Sequence, residues 1–291
     1  MLNMRLEDQV GDVLKKFRYG RKMGLRETAG LAEIDPEILR EIEAGGNVPE
    51  PGVLIALGRA LGFDGKAMAT LHLHPENTPD VTLPGHATGI EEHFGGYRVW
   101  CTLVRHREDP ERALLFDTGG GGAILADSLR KSRVRVEGVL LTHGHEDHGG
   151  GFSGALSSPG TPVLLRTEDL SLLPEIRSFS GPLLDPDEGC RKLRSQGWPV
   201  TVTRAPGHTP GSVAYLIDGI LLVGDTIFCG SAGRCFAPET FSTLLSSIRS
   251  LVGNHGPDTL IRSGHGPLTT VGRERETNPF VRVRETLSGD P

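Results

Sequence analysis

Residues 142–151 read THGHEDHGGG and place His143, His145, Asp147 and His148 within six positions, directly after the apolar run Val139-Leu140-Leu141. Such an apolar run reads as the end of a buried strand. On a helix only residues three or four apart share a face. His143 and His145 are two apart and Asp147 and His148 are adjacent, so a regular helix cannot aim all four side chains at one point. A loop leaving a strand end, with glycines beside it, can. Imidazole nitrogens and a carboxylate oxygen gathered in this way are the donors that Zn, Fe or Mn take.

Three later segments repeat the theme of a ligand-type residue set among glycines beside an apolar run: APGHTPGS with His208, LLVGDTIF with Asp225 and IRSGHGP with His265. Glycine lets the backbone approach closely and adopt positive φ, so each loop can present one side chain inward. His72 and His74 form another His-x-His pair, but their segment HLHPEN is polar, lies beside a proline and reads as connector.

The series His143, His145, Asp147, His148, His208, Asp225, His265 resembles the HxHxDH…His…Asp…His pattern of the metallo-β-lactamase-fold superfamily, over about residues 82–291. The phrases GHTPGSVAYL, GDTIFCGSAGR and GHGPLTTVGRERETNPF are similar to those of the short glyoxalase II-like hydrolases and their persulfide dioxygenase cousins. Cys235 and Phe236 follow Arg234 where those proteins commonly have Thr-Asp. The resemblance implies an α+β fold, the αββα sandwich, with the ligands on loops at one edge. It also implies two divalent metal ions, Zn first and Fe or Mn as alternatives. One would be held by His143, His145 and His208 and the other by Asp147, His148 and His265, with Asp225 bridging. Asp147 and Asp225 are then the carboxylates with catalytic roles, and Asp117, in ALLFDTGGGG, orients a ligand histidine from behind.

The N-terminal 66 residues have a different texture. Leu6 to Lys22 reads as an amphipathic helix, a second starts at Gly24, Asp35-Pro36 offers an N-cap and N1 proline to a third, and residues 53–62 supply a fourth. The stretch from Gly24 to Gly62 resembles the Cro/repressor-type (XRE) helix-turn-helix family, with Thr28 in place of the usual leucine and Glu33 in place of the turn glycine. That resemblance implies a small all-α DNA-binding domain. Duplex affinity comes mostly from Lys and Arg against phosphate, yet residues 1–66 carry ten basic and eleven acidic side chains, a net of −1. Basic residues cluster in KKFRYGRK, so Lys15, Lys16 and Arg18 are the candidate phosphate contacts and Arg40 the candidate base contact. The alternative use of such a module is homodimerisation or docking of a partner.

The expected organisation is a helix-turn-helix domain over 1–66, a linker over 67–80 and a metallohydrolase domain over 81–291. Eight apolar runs between glycine turns, from VWCTLV to TLIRS, supply its strands. Four scattered cysteines with no CxxC suit a reducing compartment; with no apolar run long enough for a membrane span and no signal-peptide pattern, cytoplasm is the expected location. Divalent metals make water nucleophilic at neutral pH and polarise carbonyls, so hydrolysis of a small-molecule thioester or related acyl bond is the first reading. The second is an Fe(II) persulfide or thiol dioxygenase using His143, His208 and Asp225. The third is a transcriptional regulator whose metal domain senses a ligand.

Overall fold

In the computed structural model, which describes residues 6–46, 48–78, 80–121 and 123–283, apolar side chains alternate between two buried faces along one sheet. Its strands are β1 (Ala87–Phe94), β2 (Tyr97–Arg105), β3 (Arg112–Phe116), β4 (Arg135–Leu140), β5 (Val163–Leu164) and β6 (Leu183–Leu184), in that spatial order. β1, β2 and β3 pair antiparallel, and β3 to β6 run parallel. Val104, Leu114, Phe116, Leu140 and Leu164 point one way. Leu103, Ala113, Leu115, Val139 and Val163 point the other. Period-two alternation with both faces apolar requires cover on both sides.

The first face meets a second sheet, in which β10 (Leu260–Ser263) runs parallel to β9 (Ile220–Gly224), followed by antiparallel β8 (Val213–Ile217) and β7 (Val200–Arg204). Val200, Val213, Tyr215, Ile217, Ile220 and Leu222 complete the core between the sheets, joined by Cys190 and Leu193 of helix α8 (Pro186–Ser195). Leu125 of helix α6 (Ala123–Ser132) and Phe152, Leu173 and Ile176 of the connecting loops cover the other face. Each of the eight apolar runs holds one of these strands, whereas β1 and β6 add two more. These elements, residues 81–226 with 260–265, make one compact unit.

The other unit joins the described residues of 1–80 to those of 227–259 and 266–291. Its N-terminal helices are α1 (Val10–Gly20), α2 (Leu25–Leu31), α3 (Pro36–Glu43), α4 (Pro51–Leu61) and α5 (Gly65–His72). Asp35 caps α3 by accepting from the Glu37 amide at 2.8 Å, with Pro36 at the first helical position. Glu33, in the turn between α2 and α3, takes the left-handed φ of +55° that glycine would adopt more easily. α5 fills much of the expected 67–80 linker: Asp64 caps it by accepting from the Lys66 and Ala67 amides, and it buries Ala67, Met68 and Leu71. His72 correspondingly is no connector residue, since its Nε2 donates to the Gly230 carbonyl at 2.8 Å.

The expected separation at residues 66–81 therefore does not describe this unit. Phe17 of α1 is fully buried, with ring centroids 4.5 Å from Phe63, 4.4 Å from Phe280 and 5.6 Å from Phe241 at the start of α9 (Phe241–Asn254). Residues 230–232 are gripped from two directions. Asp8 accepts from the Ser231 hydroxyl while Lys16 donates to the Ala232 carbonyl at 2.7 Å. From α10 (Val271–Thr277) and just after it, Glu274 accepts from the Gly230 amide and Asn278 donates to the Ser231 carbonyl. Burial pushes the Glu274 carboxyl up to about 7.

Removing residues 1–80 would uncover Phe241 and Phe280. A fragment of residues 81–291 is expected to lose a cooperative thermal transition and bind a hydrophobic dye, while Phe17→Ala in the whole chain should cost about 3–5 kcal/mol in urea unfolding. A soluble fragment melting within a few degrees of the whole chain would contradict this account of the unit.

Candidate metal centre

All the candidate ligands lie in the first unit at strand ends. His143 and His145 follow β4, Asp147 and His148 lie on the single-turn helix α7 (Glu146–Gly149), His208 precedes β8, Asp225 follows β9 and His265 follows β10. The chain leaves β4 because Thr142 is captured: its amide and hydroxyl both donate to Asp117. Asp117 itself sits at φ +54° just past β3, a conformation Asp tolerates better than most residues.

Three ring nitrogens converge in one place. His145 Nδ1 lies 3.0 Å from His143 Nε2 and 3.0 Å from His208 Nε2. A second group lies beside it: Asp147 Oδ2 is 3.7 Å from His148 Nε2 and 3.5 Å from His265 Nε2. Asp225 reaches both, with Oδ1 3.2 Å from His148 Nε2 and Oδ2 3.5 Å from His265 Nε2 and 3.6 Å from His208 Nε2. The donor atoms within each of the groups His143/His145/His208, His143/His148/Asp225 and Asp147/His148/His265 fall within 4.8 Å of one another.

The far side of three of the rings is already committed. His148 Nδ1 donates to Asp117 Oδ2 at 3.0 Å. His143 Nδ1 donates to the Thr142 hydroxyl, which donates in turn to Asp117, so one carboxylate sets two imidazoles. His265 Nδ1 donates to the Arg98 carbonyl at 2.7 Å. The Nε2 atoms of these rings are thereby turned to the cluster, and loss of any Nε2 proton leaves the tautomer that metal ligation needs. Gly264 permits the close approach, because a Cβ there would stand 2.3 Å from His148 and 2.5 Å from Asp225.

Electrostatics fit a cation at this point. Burial and neighbouring imidazoles hold His143 well below the usual histidine range, hence neutral. Burial opposes charge on His148 and His265 as well, but Asp225 with Asp117 raises the first to about 10, and Asp225 with Asp147 raises the second to about 11. Asp225 is kept ionised against its burial by His265 and His148. His148 Nε2 and Asp225 Oδ1 are both buried without a well-formed hydrogen bond, although only 3.2 Å apart. A proton between them satisfies one pair; a divalent ion satisfies every donor at once.

One organising residue carries no sequence motif. Asp169, in the loop after β5, is fully buried, and its Oδ2 accepts from the Gly144 amide at 3.0 Å and the Thr209 hydroxyl at 2.6 Å, its Oδ1 from the Gly211 amide at 2.8 Å. It joins the loop of His143 and His145 to that of His208.

The candidate DNA contacts are placed otherwise. Lys16 pairs inward with Asp8, and Arg18 makes a two-pronged pair with buried Glu43 at 2.8 and 2.9 Å and donates to the Met23 carbonyl. Neither is free for phosphate, because KKFRYGRK winds as a helix whose inner face carries them. Lys15 is half-exposed with Asp12 at 3.8 Å, and Arg40 pairs with Glu37. All four cysteines are buried, and burial raises the Cys229 and Cys235 thiols, which disfavours the reactive thiolate at both.

Two sheets with this donor series at their strand ends carry a candidate centre of the metallo-β-lactamase type. The metallo-beta-lactamase superfamily model matches residues 94–265, and the chain belongs to that superfamily. Hydroxyacylglutathione hydrolase GloC of Haemophilus influenzae is 31% identical over 199 residues, covering 63% of this chain and 93% of that protein. A hydroxyacylglutathione hydrolase of Dechloromonas aromatica is 36% identical over 53% of this chain and 54% of its own length. Among solved structures, BLEG-1 B3 metallo-beta-lactamase aligns with a TM-score of 0.50 at 27% identity, covering 67% of this chain and 99% of that one.

Asp169→Ala is expected to leave three donors unmet, cost about 3 kcal/mol or more in urea unfolding, and weaken Zn²⁺ binding by about 10–100-fold in a chelator competition; unchanged Zn²⁺ affinity would deny it this role. Arg18→Ala, by stranding Glu43, should cost about 1–3 kcal/mol, and the urea midpoint is the measurement that checks it.

Proposed function

We propose that the chain is a two-metal hydrolase of a thioester or similar acyl substrate. The observation that carries this reading is the position of Asp225, whose two oxygens face the histidines of both donor groups. His143, His145 and His208 would hold one ion, Asp147, His148 and His265 the other, with Asp225 shared. Bound there, two divalent ions supply an activated water and polarise a carbonyl.

The chain's own groups do the rest. Asp117, through Thr142 and directly, keeps His143 and His148 in one tautomer, and the Arg98 carbonyl does the same for His265. Asp225, the carboxylate shared by the two donor groups, would also orient the attacking water by accepting a hydrogen bond from it. Two similar proteins are named hydroxyacylglutathione hydrolases, which makes hydroxyacyl thioesters the first substrates to test.

With Zn²⁺ restored, release of free thiol from an S-hydroxyacyl thioester panel is the expected result, and His145→Ala or His208→Ala should lose most of one ion and nearly all turnover. Iron as the native metal with oxygen consumed on a persulfide, and no thioester cleavage, would replace this reading by the dioxygenase one.

Metal binding must displace protons. His148 and His265, raised to about 10 and about 11, are protonated in the metal-free protein at neutral pH. Adding Zn²⁺ should therefore release protons to an indicator dye. Apparent affinity should fall from pH 8 to pH 6, about tenfold per pH unit for each proton displaced. A pH-independent affinity would show that these histidines are not displaced ligands.

A further inference from the structure

The unit containing the N-terminal helices holds a cavity of about 240 Å³ that plays no part in the chemistry above. All its lining residues belong to that unit. Phe241 and Phe280, 4% and 0% exposed, and the buried Cys235 provide hydrocarbon and sulfur surface. Tyr19 adds its ring, with its hydroxyl tied to the Phe236 carbonyl at 3.0 Å. The remaining side chains are basic: Lys15, 3.8 Å from Asp12, and Arg234, whose guanidinium lies over the Phe236 ring 5.0 Å from its centroid, are solvent-accessible, whereas Lys16 is committed inward to Asp8 and the Ala232 carbonyl.

This combination selects a ligand class. Apolar walls with a few placed polar groups are the usual make-up of a small-molecule site. The volume lies below the roughly 300–1,000 Å³ of sites for drug-sized ligands, so the occupant is a single ring or a short chain. A neutral hydrocarbon would gain nothing from two cations, and a polyanion would find no further partner on aromatic walls. A molecule with one apolar body and one negative charge uses both parts of the lining.

We propose that this cavity binds a small amphipathic monocarboxylate, an aryl-alkanoic or medium-chain fatty acid, with its hydrocarbon against Phe241 and Phe280 and its carboxylate between Lys15 and Arg234. The site is assembled from α1 and from chain more than two hundred residues later, as the separation of 216 between Lys16 and Ala232 shows. It therefore exists only when the whole unit is folded. The hydrocarbon contributes most of the affinity, and the two cations supply the preference for acid over amide.

Calorimetric titration of the full chain with 3-phenylpropionate and octanoate, each paired with its primary amide, tests this. One saturable site per chain is expected, with the amide bound about tenfold or more weakly. Lys15→Met, at a half-exposed position, should weaken the acid about fivefold and leave the amide unchanged. Cys235→Leu, which pushes a side chain into the cavity, should abolish binding of the acid. A chain carrying Cys235→Leu with an unaltered circular dichroism spectrum and full affinity would place binding elsewhere and overturn the proposal. So would the absence of saturable binding up to about 5 mM, or equal affinity for acid and amide. None of these readouts requires turnover, so they stand whether or not thioester hydrolysis is found.

Discussion

Two carboxylates buried in the interior, Asp117 and Asp169, are the constraint on which the arrangement of the first unit turns. A buried charge is tolerated only when hydrogen bonds replace the water it has lost. Asp117 obtains them from the Thr142 amide and hydroxyl and from His148; Asp169 obtains them from Gly144, Thr209 and Gly211. Meeting those demands fixes where the chain may turn after β4 and before β8. The imidazoles arrive at the cluster as a by-product of loops folded around acids, so the donor set is rigid before any ion enters it.

Much of this was legible in the sequence, for a physical reason. A ligand series is local: the spacing of His143, His145, Asp147 and His148 already excludes one regular helix through all four, although Asp147 and His148 sit on the single turn of α7. Strands betray themselves by alternation, and each of the eight apolar runs holds one. Asp117 was readable as a positioning residue because it ends a strand before glycines, though its grip on two histidines was not. Asp169 gave no signal at all, since its partners are mostly backbone amides of Gly144 and Gly211, brought to it only by the path of the chain.

The helical segment misled in an instructive way. A change of texture near residue 66 looked like a boundary, but texture reports composition, and the contacts that settle membership are those of Phe17 with Phe241 and Phe280. The basic run KKFRYGRK looked like a cationic surface because a linear string hides which helix face each residue occupies. Lys16 finds Asp8 and Arg18 finds Glu43, partners that neutralise them internally. Position 33 shows the converse, since a glutamate there takes the left-handed turn that its sequence neighbourhood assigns to glycine.

The discontinuous make-up of the second unit has a consequence for how the chain is born. Helices α1 to α5 are synthesised first, yet Phe17 must wait for residues 241 and 280 to leave the ribosome before its ring is enclosed. Domains usually fold as they emerge, N-terminal ones first; here helices α1 to α5 await residues 241 and 280, while residues 81–226 are made in between. Until then Phe17 has only Phe63 of its three aromatic neighbours beside it, and long-range closure of this kind is slow. The chain's yield in a cell should depend on chaperones that cover that ring, far more than the stability of the finished fold would suggest.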